Sequence, residues 1–181
     1  MDKGNYPQDP KPVMEIPNFL TDEECDELIK LYNQKEAAPQ KDDEYWGGRI
    51  RFLYKEDVGE HLRHKLYNVR VTMSRQHFGE YMYSAQGEPI QLVMWPKGYK
   101  MPPHSDYGVV NEYPHREFAS VIYLNDDYAG GELVLPKERI KLKPKRGTLL
   151  TFRGGKVWHG VAEIKSGTRY TCICWYSVEP K

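Results

Sequence analysis

Residues 147–177 read GTLLTFRGGKVWHGVAEIKSGTRYTCICWYS. Three short runs rich in Leu, Val, Ile, Phe, Tyr and Trp (147–152, 157–163 and 168–177) are separated by Gly-Gly and Ser-Gly pairs. Branched and aromatic residues favour a pleated, half-buried backbone, and glycine permits the tight turns between runs, so these are strands. The same texture extends back toward the N-terminus at 89–95, 99–105, 117–124, 131–135 and 139–143, punctuated by Pro, Gly and Asp-Asp. About eight short strands at near-regular spacing predict a β-sandwich, jelly roll or barrel.

Before Gly79 the pattern is different. Val13 to Phe19 reads as a first short strand. Thr21 with Glu24 three residues later forms a capping box, and Asp22 and Glu23 put favourable charge in the first helical turn. Leu28, Leu31 and Tyr32 give that helix an apolar side, and it should end before Pro39. Residues 37–48 read as a polar loop holding the Tyr45-Trp46 pair. A second helix is expected over 56–78, where Val58, Leu62, Leu66, Val69 and Met73 recur at helical spacing. The expected organisation is a flexible tail at 1–12 and a single domain at 13–181. Within it, helical support at 21–78 packs on one face of a strand core at about 79–178.

Composition excludes classes without naming chemistry. The chain has 181 residues, 26 Lys+Arg against 26 Asp+Glu, and a mean hydropathy of −0.76. Zero net charge counts against a strongly basic nucleic-acid binder. No run approaches a membrane span and no apolar leader follows the N-terminus, so a cytoplasmic, membrane-free protein is expected. Cys25, Cys172 and Cys174 are too few for a disulfide framework and read as buried reduced thiols.

His104-Ser105-Asp106 ends a predicted strand, where residues i and i+2 point the same way, so imidazole and carboxylate converge on one ion. His159 lies 53 residues past Asp106 and opens another aromatic-rich strand, and Arg169 enters the last strand. Two His and one carboxylate on a β scaffold make a facial triad with open positions, a set that favours non-haem Fe(II). The alternative is a capping Asp106 and two unrelated histidines. His61, His64, His77 and His115 read as surface or satisfied histidines.

This ordered set resembles the Fe(II)/2-oxoglutarate-dependent oxygenases of the prolyl 4-hydroxylase type. The resemblance runs from about Val13 to Ser177 and begins with Ile16-Pro17-Asn18-Phe19-Leu20-Thr21-Asp22-Glu23-Glu24-Cys25. It continues through Trp95-Pro96-Lys97-Gly98, His104-Ser105-Asp106, Arg116, Tyr123-Leu124-Asn125-Asp126 and Gly130-Gly131-Glu132-Leu133. Lys143-Pro144-Lys145-Arg146-Gly147-Thr148-Leu149-Leu150-Thr151-Phe152, His159 and the Arg169-Tyr170 strand complete it. Arg169 where collagen-type members place Lys, and Leu133 where they place Thr, lean toward the oxygen-sensing and microbial branch.

The resemblance implies a double-stranded β-helix (jelly roll, cupin-like) core with two N-terminal helices buttressing one sheet. It implies Fe(II) held by His104, Asp106 and His159. Arg169 and Tyr123 would hold the far carboxylate of 2-oxoglutarate, with Trp95 and Leu133 lining that pocket. O2 is the further co-substrate and ascorbate the reductant. The implied activity is hydroxylation of a prolyl residue in a peptide or protein, with 2-oxoglutarate converted to succinate and CO2. Arg116, Trp175, Tyr45 and Trp46 are candidate substrate contacts, and loop 37–49, with Arg49, falls where relatives place a mobile lid. The alternatives are the same chemistry on a free amino acid, small metabolite or nucleic acid, or a non-catalytic metal-binding module. A nucleic-acid demethylase of this superfamily usually carries a second Arg shortly after the first, and none follows Arg169 here.

Overall fold

The structure is a computed structural model and describes residues 11–39, 43–73, 83–84, 89–106 and 116–177. The N-terminal half holds β1 (Val13–Ile16), α1 (Asp22–Gln34), α2 (Asp43–Trp46), β2 (Ile50–Leu53), α3 (Glu60–Tyr67), α4 (Val69–Met73) and β3 (Tyr83–Ser84). The strand core follows as β4 (Ile90–Trp95), β5 (Met101–His104), β6 (Phe118–Tyr123), β7 (Ala129–Gly130) and β8 (Leu133–Leu135). It closes with β9 (Ile140–Leu142), β10 (Leu149–Phe152), β11 (His159–Val161), β12 (Ile164–Ser166) and β13 (Arg169–Ser177).

Pairing is antiparallel throughout. The large sheet runs β1-β10-β6-β13-β4-β2, with β3 also on β13. A four-stranded sheet runs β5-β11-β8-β9, and β12 pairs β7. This is the jelly-roll architecture that the strand spacing and the resemblance predict.

The two-residue period of β13 divides the molecule. Cys172, Cys174 and Tyr176 point to one side and pack with Leu28, Tyr32, Leu62, Leu66 and Val69 of the helices. Arg169, Thr171, Ile173 and Trp175 point to the other, into the space between the sheets. On β6, Phe118 and Ile122 join the helix side while Ala119, Val121 and Tyr123 face inward with Leu133, Leu135, Leu150 and Phe152. One face of the sheet is therefore a buttressed wall, and its other face is free to line a site. Cys25, Cys172 and Cys174 are free and buried.

The Thr21 capping box forms as read: the Thr21 hydroxyl accepts from Glu24 N at 3.3 Å, and Glu24 Oε2 accepts from Thr21 N at 2.8 Å. Other expectations are corrected. The 56–78 helix starts later and breaks at Asn68, whose φ of −98° and ψ of 5° cap α3 before α4 begins. Residues 54–57 instead form a turn in which Asp57 Oδ2 accepts from Tyr54 N. The stretch 37–48 contains α2, so it is not wholly loop. The helical support also contains β2, which pairs β4 at the edge of the large sheet, so the core draws on residues before 79. No helix among the described residues is long and apolar enough to cross a membrane. The tail to residue 10, residues 74–78 with His77, and loop 107–115 with His115 lie outside the described residues.

Candidate metal and co-substrate site

The small sheet brings the first pair of ligands together by register. His104, last in β5, pairs directly with His159, first in β11, and their rings lie 4.6 Å apart. Asp106 follows one residue beyond the strand, and its amide donates to the Gly154 carbonyl at 2.9 Å. The Ser105 hydroxyl donates to the Gly155 carbonyl at 2.9 Å. The His-Ser-Asp turn is thus fastened to the turn after β10. Gly154 is needed there: a Cβ would lie 3.0 Å from Asp106 Cγ and nearer still to Oδ2.

His104 Nε2 lies 3.5 Å from Asp106 Oδ1, and His159 Nε2 lies 3.6 Å from Oδ2. One ligand atom from each residue fits within a 4.8 Å triangle. The Nδ1 atoms face the carbonyls of Pro102 at 3.0 Å and Val157 at 2.9 Å. A carbonyl only accepts, so each Nδ1 carries the hydrogen and each Nε2 faces into the triangle, where a metal would meet it. Asp106 Oδ2 is buried without a hydrogen-bond partner among the described residues. An orphaned carboxylate oxygen beside two inward-facing imidazole nitrogens is costly alone and satisfied by a divalent cation.

Charge agrees with that assignment for Asp106 and His159. Burial acts to raise Asp106, but the His104 hydrogen bond and both imidazoles outweigh it and hold the carboxyl below its ordinary value. Burial pulls His159 down, so this ring is neutral and available as a ligand at neutral pH. Burial also opposes charge on His104, yet its bonds to Asp106 and the Pro102 carbonyl leave it raised, so a metal would displace a proton from its Nε2.

The second half of the site is on the large sheet. Arg169, at the start of β13, is only 2% exposed, and its register partner on β4 is Trp95. Nη2 donates to the Tyr123 hydroxyl at 3.1 Å, while Nε and Nη1 have no partner among the described residues. Trp95 Nε1, Thr171 Oγ1 and the Tyr128 hydroxyl are likewise buried and without a well-formed hydrogen bond there, although the Arg169 guanidinium acts on Tyr128. Burial pushes the Tyr128 phenol up, so it stays a neutral donor. A buried guanidinium with two idle N–H groups, among further idle donors, is a cradle for a carboxylate. Gly131, at φ 67°, keeps the cradle open, because a Cβ would run into Ile164 Cδ1 and come within 3.1 Å of Tyr128 Cε2.

The two halves share one interior. Tyr123 packs with Leu133 and Phe152, and the Phe152 ring lies 4.7 Å from that of His159. Of the expected pocket residues, Trp95 and Tyr123 are in the cradle, and Leu133 is in the apolar cluster behind Tyr123. Arg116 stacks on Trp175, 3.7 Å from the ring centroid, and its charge acts on both His104 and Asp106. Tyr45 and Trp46 lie together on α2, with the Trp46 ring 5.5 Å from Trp95. Sequence reasoning missed Thr171, Tyr128 and Gly154. Thr171 alone carried a usable signal, since it is two residues past Arg169 on the same strand face.

Residues 90–177 match the family model of the 2OG-Fe(II) oxygenase superfamily. Human prolyl 3-hydroxylase 2 is 32% identical over 74 residues, which are 38% of this chain and 10% of that protein. The chain therefore spans about a tenth of the length of the prolyl 3-hydroxylases it matches. Among solved structures, the viral collagen prolyl hydroxylase of Paramecium Bursaria Chlorella virus-1, solved with 2OG, aligns with a TM-score of 0.71. Its identity is 21%, over 93% of this chain and 97% of that one. A Trichoplax adhaerens prolyl hydroxylase, solved with a hypoxia inducible factor peptide fragment, aligns with a TM-score of 0.69 and 18% identity. That alignment covers 93% of this chain and 84% of that one.

Proposed function

We propose that this chain, whose residues 90–177 form a 2OG-Fe(II) oxygenase domain, hydroxylates a prolyl residue in a peptide or protein. The overall change is substrate C–H plus 2-oxoglutarate plus O2 giving substrate C–OH, succinate and CO2. Fe(II) with its co-substrate supplies that oxidative decarboxylation and the coupled hydroxylation. The observation that carries the reading is the pairing of the His104, Asp106 and His159 triangle with a buried, under-partnered Arg169 in the same interior.

The chain's own residues do the positioning. His104, Asp106 and His159 would hold the metal and, being only three ligands, would leave room on it for co-substrate and O2. Arg169 and Tyr123 take the far carboxylate of 2-oxoglutarate, with Thr171, Tyr128 and Trp95 supplying the remaining donors. Leu133, Phe152 and Val121 keep water from the interior. The Arg116–Trp175 stack supports a peptide site beside the metal, since a flat ring and a cation together suit a proline ring and neighbouring carbonyls. The prolyl hydroxylase relatives, one with a peptide bound, support the same substrate class. Free buried thiols suit a reducing compartment, so we assign the reaction to the cytoplasm; ascorbate as reductant is what the family resemblance implies.

Succinate release tests the reading. With Fe(II), 2-oxoglutarate and ascorbate, a proline-rich peptide should stimulate succinate formation, and His104→Ala, Asp106→Ala and His159→Ala should each abolish it. Full coupled activity in His159→Ala sinks the metal assignment.

A further inference from the structure

Arg49 lies between α2 and β2, before the stretch the superfamily matches, and is 2% exposed. Its contacts are unusual for a buried cation. Nη2 and Nε donate to the Tyr45 carbonyl at 2.7 and 3.2 Å, and Nη1 to the Met94 carbonyl at 3.5 Å. The guanidinium lies 4.2 Å from the ring centroid of Tyr99, 4.7 Å from Trp46, 4.9 Å from Tyr45 and 5.0 Å from Trp95. Four rings from three separate segments therefore converge on one cation.

Trp95 connects this cluster to the carboxylate cradle. The Arg169 guanidinium lies 5.6 Å from the same indole centroid. Trp95 Nε1 is buried without a partner among the described residues, so the set of the ring decides where that N–H points. The Arg49 backbone is tied in as well, its carbonyl accepting from Met94 N at 2.9 Å. The Tyr45 hydroxyl donates to the Lys100 carbonyl, which fastens α2 to the approach to β5. So α2, within the stretch 37–49 that falls where relatives place a lid, is held against Lys100 by Tyr45 and against Trp95 by Trp46.

We propose that Arg49 is a positioning residue for the co-substrate. It fixes the Trp95 ring beside Arg169 and locks α2, with Tyr45 and Trp46, against that ring. This inference rests on the 2-oxoglutarate reading above. Lysine keeps the charge but is a compact ammonium without the planar fork, so it cannot hold the Tyr45 and Met94 carbonyls and stack on four rings at once.

The test is calorimetric titration of 2-oxoglutarate into Mn(II)-loaded protein, which is redox-inert and needs no peptide. Arg49→Lys should weaken 2-oxoglutarate binding about tenfold while Mn(II) affinity stays within about twofold of wild type. In a Trp95→Leu background, Arg49→Lys should add less than about twofold, because its effect passes through that ring. Tyr99→Leu removes the nearest ring without touching the buried charge and should weaken binding about threefold, which keeps the idea testable if Arg49 variants fold poorly. Unchanged 2-oxoglutarate affinity in both Arg49→Lys and Tyr99→Leu, or full additivity with Trp95→Leu, refutes the positioning role alone. A wild-type chain that binds Mn(II) but no 2-oxoglutarate overturns the proposed function and this inference together.

Discussion

Gly154→Ala is the most discriminating single change at the metal triangle, because it adds one carbon and removes nothing. The new Cβ would stand 3.0 Å from Asp106 Cγ and 3.3 Å from Ala119 Cβ, with Asp106 Oδ2 nearer than either. Asp106 is 6% exposed and tied through its own amide to the Gly154 carbonyl, so it cannot swing into solvent. Regaining van der Waals separation takes a retreat on the order of 1 Å by Oδ2. Productive metal–ligand distances tolerate only about 0.2 Å. Oδ2 is also the oxygen facing His159 Nε2, so the displacement opens the triangle on that side. Misplaced support of a ligand typically costs about 10- to 100-fold in metal affinity, and that is the expected loss. Mn(II) titration followed by calorimetry or paramagnetic resonance reads it, with circular dichroism to show that the fold persists. Ser105→Ala, which removes the hydroxyl from the Gly155 carbonyl without adding bulk, should weaken Mn(II) only a few-fold. Gly59→Ala, where a Cβ meets nothing, should leave affinity unchanged. A folded Gly154→Ala that binds Mn(II) like wild type refutes the view that this turn seats the carboxylate.

Three further outcomes are expected. Arg169→Met should weaken 2-oxoglutarate about 100-fold in the Mn(II)-loaded protein, by removing a buried charge partner; pyruvate, which lacks the far carboxylate, should bind both forms alike. Thr21→Ala should cost about 1 kcal/mol in urea unfolding, because it removes one half of the α1 capping box. Acid should destabilise the helical side. Burial acts to raise Glu24, but the Lys65 bond, the Thr21 amide and the nearby cations hold it below its ordinary 4.5. Burial likewise opposes the lowering of Asp57, which its bonds to Lys35 and Tyr54 N hold below 3.8. Both folded values lie under the unfolded ones, so this stability is complete above the unfolded range and drains away as pH falls through the folded values. Glu24→Gln should flatten the acid limb of a stability-versus-pH curve.

The parts legible in the sequence were those set by local pattern. Thr21 and Glu24 stand three apart and form the cap they announce. The runs around Phe118, Leu149 and Arg169 are rich enough in branched and aromatic residues to reveal strands, and His104 and Asp106 share a face because strand geometry requires it. Other features depend on what the chain meets elsewhere. Leu62, Leu66 and Val69 all enter the same cluster under the sheet, so their period runs through Asn68 and conceals the break there. Ile50-Arg51-Phe52-Leu53 is short and interrupted by a charge, and only pairing with β4 makes it a strand. Tyr128 and Thr171 become site residues because their hydroxyls are buried without hydrogen-bond partners among the described residues. Arg49 becomes one because rings from 45–46, 95 and 99 reach it. Such convergence carries no mark in any single stretch.

The central claim is that one interior holds a metal by His104, Asp106 and His159 and a 2-oxoacid by Arg169, for hydroxylation of proline. Reaction of the Fe(II)-loaded protein with a proline-rich peptide under isotopically heavy O2, analysed by mass spectrometry, addresses it most directly. The account predicts one heavy oxygen in succinate for each one gained by a prolyl residue, and neither product from Asp106→Ala. Heavy oxygen in succinate with none on any residue of a broad panel of proline-containing peptides would contradict the prolyl assignment, and its absence from both would contradict the oxygenase itself.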